Sequence, residues 1–269
     1  MSAIVLGAVA YDAKVVPIWE GFKTHFESHG LPFDFVLYSN YERQVAAHLR
    51  GEIDVAWNSP LAWVQTRRAA PDRARAIAMR DTDRDLTSVV LVRAGSGPGT
   101  GPGAGAPVQT ARDLRAVGVG ASDSPQATLI PLLALADAGA RVEVVHHDVL
   151  VGKHGDHVGG ERDAVKALLA GRVDAACVLD ANRLAFARDG LFAPNQLRVL
   201  LQTAPYDHCN VTALANTPAI ARLRELLLAM SYDDPVVRPL LDMEGLTRWL
   251  PGRTSGYAQL ERAVDARPR

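Results

Sequence analysis

The sequence predicts an α/β protein of two lobes, with mixed, mostly parallel sheets and a central cleft between the lobes. Three observations predict it. Residues 48–60, HLRGEIDVAWNSP, and residues 168–180, LLAGRVDAACVLD, repeat one phrase. Each is a helix end, a Gly, then [Ile/Val]-Asp-[Val/Ala]-Ala entering an apolar run. Short apolar runs alternate with helical periodicity along most of the chain. A Gly/Pro-rich stretch at 94–107 divides that alternation in two.

Each element has its own signal. Residues 3–10 read as a buried strand, with Tyr11 and Asp12 at its C-terminal edge. Val15, Ile18, Trp19, Phe22 and Phe26 fall at helical spacing, and Gly30 stops that helix. Phe33 to Tyr38 is a second strand. Asn40 is a good N-cap for a helix over 41–50, which Gly51 ends. Ile53–Trp57 is a third strand, and Pro60 opens the next helix. Residues 76–79 and 86–92 are further strands. After the linker come a short helix at 110–115, a strand at 116–120, a helix at 126–138 and a strand at 142–145. A helix at 162–170, strands at 173–179 and 198–202, and helices at 218–230 and 234–249 complete the reading.

Size and charge bound the function. At 269 residues the chain allows one large domain or two ordinary lobes. It is 48% hydrophobic, 22% charged and 6% aromatic, which fits an Ala/Val/Leu-rich globular protein. A net charge of −1 gives no electrostatic case for nucleic acid or an anionic membrane. No apolar run reaches the ~18 residues of a membrane span. Ile4 already begins the first strand, with no basic region, apolar run or cleavage site ahead of it, so a cytoplasmic protein is expected. Cys177 and Cys209 cannot build a disulfide framework, though they could form one bridge. The glycines of 94–107 lack Gly-Lys-[Ser/Thr] and a strand-to-helix context, so they are not a phosphate loop.

Five segments together resemble the phosphate/phosphonate-type solute-binding proteins of ABC transporters, which have the type II periplasmic-binding-protein fold. They are Gly51–Pro60, Arg80–Arg93, Gln109–Arg115, Ala121–Thr128 (ASDSPQAT) and Arg162–Ala176. The resemblance covers roughly residues 3–215. It implies crossovers near 91–95 and 203–210. Lobe 1 would be 1–92 plus 210–269, and lobe 2 would be 93–209. It also implies a small anion or metabolite in the cleft, and an ABC permease as partner if an exported form exists. The chain departs from the pattern in three places. It shows no signal peptide, Asp123 enters the anion loop where it would repel a dianion, and Arg162 stands where the family has His.

Ligands of α/β sheets bind beyond the carboxyl ends of strands. Tyr11, Asn40, Asn58 and Ser59 lie at such ends in the first half, and Thr87 and Ser88 on the crossover strand. Ser122, Ser124 and Gln126 precede or open a helix, and Tyr206 sits at the second crossover. These, with Arg162, are the candidate ligand contacts. Asn40 and one of the serines could equally be simple caps, and Asn58-Ser59 simply the entry to the next helix. Trp57, Trp63 and Cys177 read as core, and the repeated Asp54 and Asp174 as shaping the turn after each helix.

Residues 145–163 hold His146, His147, His154 and His157 with Asp148, Asp156 and Glu161. Later comes Tyr206-Asp207-His208-Cys209-Asn210. Three readings stand. His154, Asp156 and His157 bind zinc or iron, with His208 or Cys209 completing the site. The histidines and Arg162 hold a carboxylate or oxyanion. Or the loop is polar and structural. His208 and Cys209 are also the candidate catalytic pair, since a thiol beside an imidazole can be an activated nucleophile. Two functions follow: a binding protein for a small anionic or polar metabolite, or a cytosolic enzyme on the same scaffold that uses the His/Asp/Cys cluster.

Overall fold

A computed structural model of the chain describes residues 3–95, 108–148 and 157–266. In chain order the strands are β1 (Ile4–Val9), β2 (Phe33–Tyr38), β3 (Val55–Asn58), β4 (Arg75–Arg80), β5 (Ser88–Arg93), β6 (Ala116–Val119), β7 (Glu143–His146), β8 (Ala175–Leu179), β9 (Leu197–Gln202), β10 (Asn210–Ala213) and β11 (Trp249–Pro251). The helices are α1 (Val15–Ser28), α2 (Tyr41–Arg50), α3 (Pro60–Ala69), α4 (Ile130–Asp137), α5 (His157–Leu169), α6 (Asp180–Arg188), α7 (Pro218–Ala229), α8 (Arg238–Glu244) and α9 (Ala258–Asp265).

Two compact units result, one of Met1–Asp85 with Tyr206–Ala258, the other of Leu86–Pro205 with Gln259–Arg269. Unit 1 holds a sheet of order β11-β4-β10-β3-β1-β2, and unit 2 one of order β7-β6-β8-β5-β9. Apart from the added edge strand β11, the two orders match: β2-β1-β3-β10-β4 against β7-β6-β8-β5-β9.

The repeated phrase does the same job in both units. Gly51 and Gly171 take positive φ, 76° and 71°, and end α2 and α5. A Cβ strains that backbone, so Gly belongs there. The Asp54 N–H donates to the Val5 carbonyl at 2.8 Å, and its Oδ2 accepts from the Val5 N–H at 2.8 Å. Asp174 repeats this on β6: its N–H reaches the Ala116 carbonyl, and its Oδ2 accepts from the Arg115 and Ala116 N–H groups at 2.9 and 3.0 Å. The aspartates thus fix the starts of β1 and β6, strands that hold the same place in the two sheet orders.

Each unit has its own core. In unit 1, α1 buries the predicted Val15, Ile18, Trp19, Phe22 and Phe26 against Phe33 and Trp249. Trp57 and Trp63 are also buried, as expected. In unit 2, Val89, Leu91, Ala164, Leu168, Val178 and Phe186 form one cluster, while Cys177 packs in a second. Both cysteines are free thiols.

The fold corrects several expectations. The sheets are mixed, but four of the nine pairings among the described residues are parallel and five antiparallel. The strands that carry the chain across, β5 and β10, run antiparallel to both neighbours, so the balance is not mostly parallel. Residues 86–92 pair with β8 and β9 and so belong to unit 2, not to the first lobe. Residues 206–209 belong to unit 1, where the His208 N–H donates to the Asp83 carbonyl. From Gln259 the chain joins unit 2, because the Gln259 amide donates to the Ala204 and Pro205 carbonyls and Arg262 pairs with Asp137. The helix expected over 234–249 is only α8: Gly245 at φ 78° stops it, and Trp249–Pro251 pairs with β4. Residues 96–107 of the Gly/Pro-rich stretch lie outside the described residues.

Candidate functional site

The C-terminal edge of the unit 1 sheet carries a buried charged group. Apolar β4 ends at Arg80, and a short 3-10 turn over Asp81–Asp83 brings Asp83 back beneath it. The Arg80 guanidinium donates to both Asp83 oxygens at 2.5 and 3.0 Å, and to the carbonyl and carboxylate of Glu244 at 2.7 and 3.3 Å. It also lies over the Trp57 ring, 5.2 Å from its centre. On the other side of Asp83, His208 Nδ1 is 3.3 Å from Oδ1, and the same nitrogen is 3.2 Å from Cys209 Sγ. Asp83 is 2% exposed and Glu244 4%, whereas the His208 side chain keeps 24%. Tyr11, on the residues after β1, is half-exposed, and its hydroxyl feels Glu244, Arg80 and Cys209.

Burial and pairing set the charges here. Burial opposes the Asp83 carboxylate, but Arg80 and His208 outweigh it and hold its pKa down to about 2. Burial equally opposes the His208 cation, yet Cys209 and Asp83 raise it to about 10. Glu244 goes the other way: burial lifts it to about 7 despite Arg80. Burial, then Glu244, pushes Tyr11 up to about 12, and burial raises Tyr41 well above the ordinary phenol. The edge therefore holds two firm cations, one firm anion and one carboxyl poised near neutrality.

A chain of buried hydrogen bonds supports this edge from beneath. Gln44 Nε2 donates to Asn58 Oδ1 (2.9 Å), and Asn58 Nδ2 to Thr212 Oγ1 (2.8 Å). Thr212 Oγ1 donates to Asn210 Oδ1 (2.7 Å), and Asn210 Nδ2 to the Tyr257 hydroxyl (2.9 Å). Tyr257 in turn donates to the His208 carbonyl at 2.9 Å. All five side chains are fully buried, and every donor points the same way along the chain. The candidate contact Asn58 is a member of this chain rather than a group at the surface of the edge. Two other candidates are caps: Asn40 Oδ1 accepts from the Arg43 N–H at the start of α2, and Ser59 Oγ from the Ala62 N–H at the start of α3. Tyr206 is buried in unit 1.

In unit 2 the candidates Ser88, Ser122, Ser124 and Gln126 gather near one helix start. Ser124 caps a five-residue π-helical turn, Pro125–Leu129, that runs into α4, and its Oγ accepts from the Ala127 N–H. Ser88 Oγ donates to the Gln126 carbonyl at 2.6 Å. Gln126 is buried with no hydrogen-bond partner at Oε1. The Ser122 N–H donates to Asp148 Oδ1 at 3.3 Å, and Asp123 beside it is buried. Thr87 accepts from Gln202 Nε2 at 3.1 Å. Arg162 stands apart, paired with Asp189 at 2.9 Å and stacked over Phe186. Of the expected metal ligands, His154, Asp156 and the His157 side chain lie outside the described residues. His146 and His147 donate through Nδ1 to the Gly120 and Val119 carbonyls, a structural use.

The sequence profile described as "ABC transporter, phosphonate, periplasmic substrate-binding protein" matches residues 8–257. The chain belongs to that family. Its members bind small anionic ligands such as phosphonate and work with an ABC permease. The fold is similar to that of XAC2383 from Xanthomonas citri bound to ATP (TM-score 0.70, 16% identity, 98% of this chain and 99% of that one). It is similar too to PhnD1 from Prochlorococcus marinus in complex with methylphosphonate (0.64, 17%, 98% and 97%). The Escherichia coli aliphatic sulphonate binding protein SsuA also matches (0.56, 17%, 98% and 86%). No curated protein matches the chain. Among the described residues, no helix of this family member is long and apolar enough to cross a membrane.

Sequence reasoning missed Arg80, Asp83 and Glu244. One signal for the first two was present: the run Arg80-Asp-Thr-Asp-Arg-Asp breaks directly from an apolar strand. Glu244 gave none, because its approach to Arg80 depends on how α8 packs.

Proposed function

We propose that this protein binds a small metabolite carrying a single negative charge, or a polar zwitterion, rather than a phosphonate dianion. Its family membership over residues 8–257 carries the general reading. The finer one rests on the acidic groups of the unit 2 loop. Asp123 is buried in the loop before the Ser124 cap, and Asp148 already accepts a loop N–H. Carboxylates so placed raise the cost of a second negative charge on the ligand. Relatives in fold hold methylphosphonate in one case and ATP in another, so the scaffold alone does not select the anion.

The enzyme alternative draws on His208 and Cys209. Nucleophile–base–acid relays use both ring nitrogens of the base. Here Asp83 and Cys209 meet the same nitrogen, Nδ1, which supports binding over acyl transfer. We place the binding role in the cytoplasm, supported by two free thiols that suit a reducing compartment. Fractionation of the native cell tests this, and recovery outside the cytoplasm overturns it.

Thermal shift followed by calorimetric titration tests the ligand class, since a ligand specific for the native state raises Tm. The panel is methylphosphonate, phosphate, an alkylsulfonate, monocarboxylates and amino acids. Shifts with monoanions or zwitterions are expected. A response to methylphosphonate and phosphate alone would overturn the finer reading, and silence across the panel the binding role itself.

A further inference from the structure

We propose that Asp83, His208 and Cys209 form a site for one zinc-class divalent ion, held by Asp83 Oδ1, His208 Nδ1 and Cys209 Sγ within unit 1. The donor set is mixed carboxylate, imidazole and thiolate, which suits a borderline-soft ion. One ligand atom from each residue lies within 4.8 Å of the other two. Bond lengths of about 2.0–2.3 Å around a tetrahedral ion place neighbouring donors roughly 3.3–3.6 Å apart. Nδ1 is 3.3 Å from Oδ1 and 3.2 Å from Sγ, so both spacings to the imidazole are within a few tenths of an ångström of that geometry.

The supports around the three ligands resemble those that orient metal ligands in general. Arg80 fixes the Asp83 carboxylate through both oxygens and leaves Oδ1 a lone pair. The His208 N–H donates to the Asp83 carbonyl, tying the two ligand-bearing segments together, and Tyr257 holds the His208 carbonyl. Arg80 also opposes a cation, which weakens the site. Its second partner Glu244 offsets that charge, and binding releases the protons of His208 Nδ1, the Cys209 thiol and Glu244 to solvent, so that the thiolate, Asp83, Glu244 and Arg80 come to neutrality with one divalent ion. With three protein ligands and a half-open His208 edge, the fourth position falls to water or an added ligand.

The site is independent of the proposed metabolite reading. It differs from the His-rich segment at 146–163, which supplies none of its donors.

Cobalt(II) titration of the full chain, stripped by chelator, is the direct test. Expected are one equivalent bound, the strong visible absorption of tetrahedral cobalt, a thiolate-to-cobalt charge-transfer band, and displacement by zinc. Cys209→Ser should abolish the charge-transfer band, and His208→Gln should weaken binding at least as much as the ~10–100-fold typical of lost outer-shell partners. His154→Ala/His157→Ala should change neither. Should the variants fail to fold, zinc should protect Cys209 of the unaltered chain from iodoacetamide, read at its peptide by mass spectrometry. Absence of cobalt binding, a spectrum without the thiolate band, or alkylation of Cys209 unaffected by zinc would each overturn the site.

Discussion

The two units share a strand order and a repeated phrase, yet they differ at the positions where the phrase meets the interior. Aligned on Gly51 and Gly171, His48 stands against Leu168, Gln44 against Ala164, and Asn58 against Val178. All six are buried. Unit 2 fills these places with apolar groups, while unit 1 fills them with polar ones and links two of the three into the hydrogen-bond chain beneath His208. Buried ionic contacts follow the same division. Asp83 of the Arg80 pair is 2% exposed, whereas the Arg162–Asp189 pair of unit 2 is 36% and 43% exposed. At these three positions one scaffold thus tolerates both apolar and polar groups, and the buried Arg80–Asp83 pair lies in the unit that carries the polar ones. A buried polar group is stable where partners satisfy it, so the Gln44–Asn58 link also specifies its own arrangement.

The largest expected difference lies in these ion pairs. Removing one partner of a buried pair costs about 3–5 kcal/mol, and an exposed pair is worth ~0–1 kcal/mol. Asp83→Ala should fall near the low end of the first range, because Glu244 still faces Arg80. Asp189→Ala should be close to neutral. Urea denaturation of both variants checks the contrast, and equal losses would break it.

His48 gives the next effect. Its ring is buried, and burial lowers its pKa to about 4, with the Asp54 backbone and charge opposing the shift and Arg73 adding to it. The folded state therefore resists the proton that the unfolded state accepts near 6.5. Stability from this residue is present above about pH 6.5 and is lost as pH falls toward 4, by up to roughly 3 kcal/mol. His48→Leu copies the unit 2 residue. It should flatten the acid slope and raise stability at neutral pH, as read by denaturation between pH 4 and 8. A slope unchanged in His48→Leu would assign acid sensitivity to other groups.

Asn58→Val likewise imports the unit 2 residue, but here the exchange should harm. It takes from the Gln44 amide one of its two acceptors, the Trp57 carbonyl remaining, and leaves Thr212 Oγ1 without its donor, at about 1–3 kcal/mol for unsatisfied buried groups. Adding Gln44→Ala removes the half-satisfied amide and should recover part of the loss, whereas adding Thr212→Val should not, because it takes the donor from Asn210 Oδ1. If Asn58→Val with Gln44→Ala is no better than Asn58→Val alone, the Gln44–Asn58 link contributes nothing beyond its individual members.

Much of the scaffold was legible in sequence because its signals are local. Gly51, Asn40 and Pro60 mark helix ends through their own backbone preferences, and the α1 stripe of Val15, Ile18, Trp19, Phe22 and Phe26 states its buried face directly. Strands β10 and β11 were not legible. Each is three or four residues long and earns its place by pairing with β4, far away in sequence. The site divided the same way. His208 and Cys209 stand out as residue types, but Asp83 and Glu244 look like ordinary surface acids until packing around Arg80 buries them. Asn58 shows the converse: its place at a strand end was plain, but the partners that engage it come from α2 and β10.

The smallest effect tests the equivalence of the units most directly. Asp54 and Asp174 hold the same place in the phrase, and each carboxylate accepts backbone N–H at the start of an equivalent strand, β1 in unit 1 and β6 in unit 2. Asp54 takes one such bond, from Val5, while Asp174 takes two, from Arg115 and Ala116. Bonds to a charged acceptor contribute about 1.5–3 kcal/mol when buried, and less at the part-exposed strand starts involved here. Asp54→Ala should therefore cost about 1 kcal/mol and Asp174→Ala somewhat more. Asn at either position keeps one acceptor oxygen and should recover part of each loss. Hydrogen exchange locates the effect: faster exchange at Val5 in one variant and at Ala116 in the other is the signature of a shared strand-anchoring role. Slower-than-expected exchange at Ala116 in Asp174→Ala would mean that β6 is held by its neighbours β7 and β8 alone, and that only unit 1 depends on its aspartate.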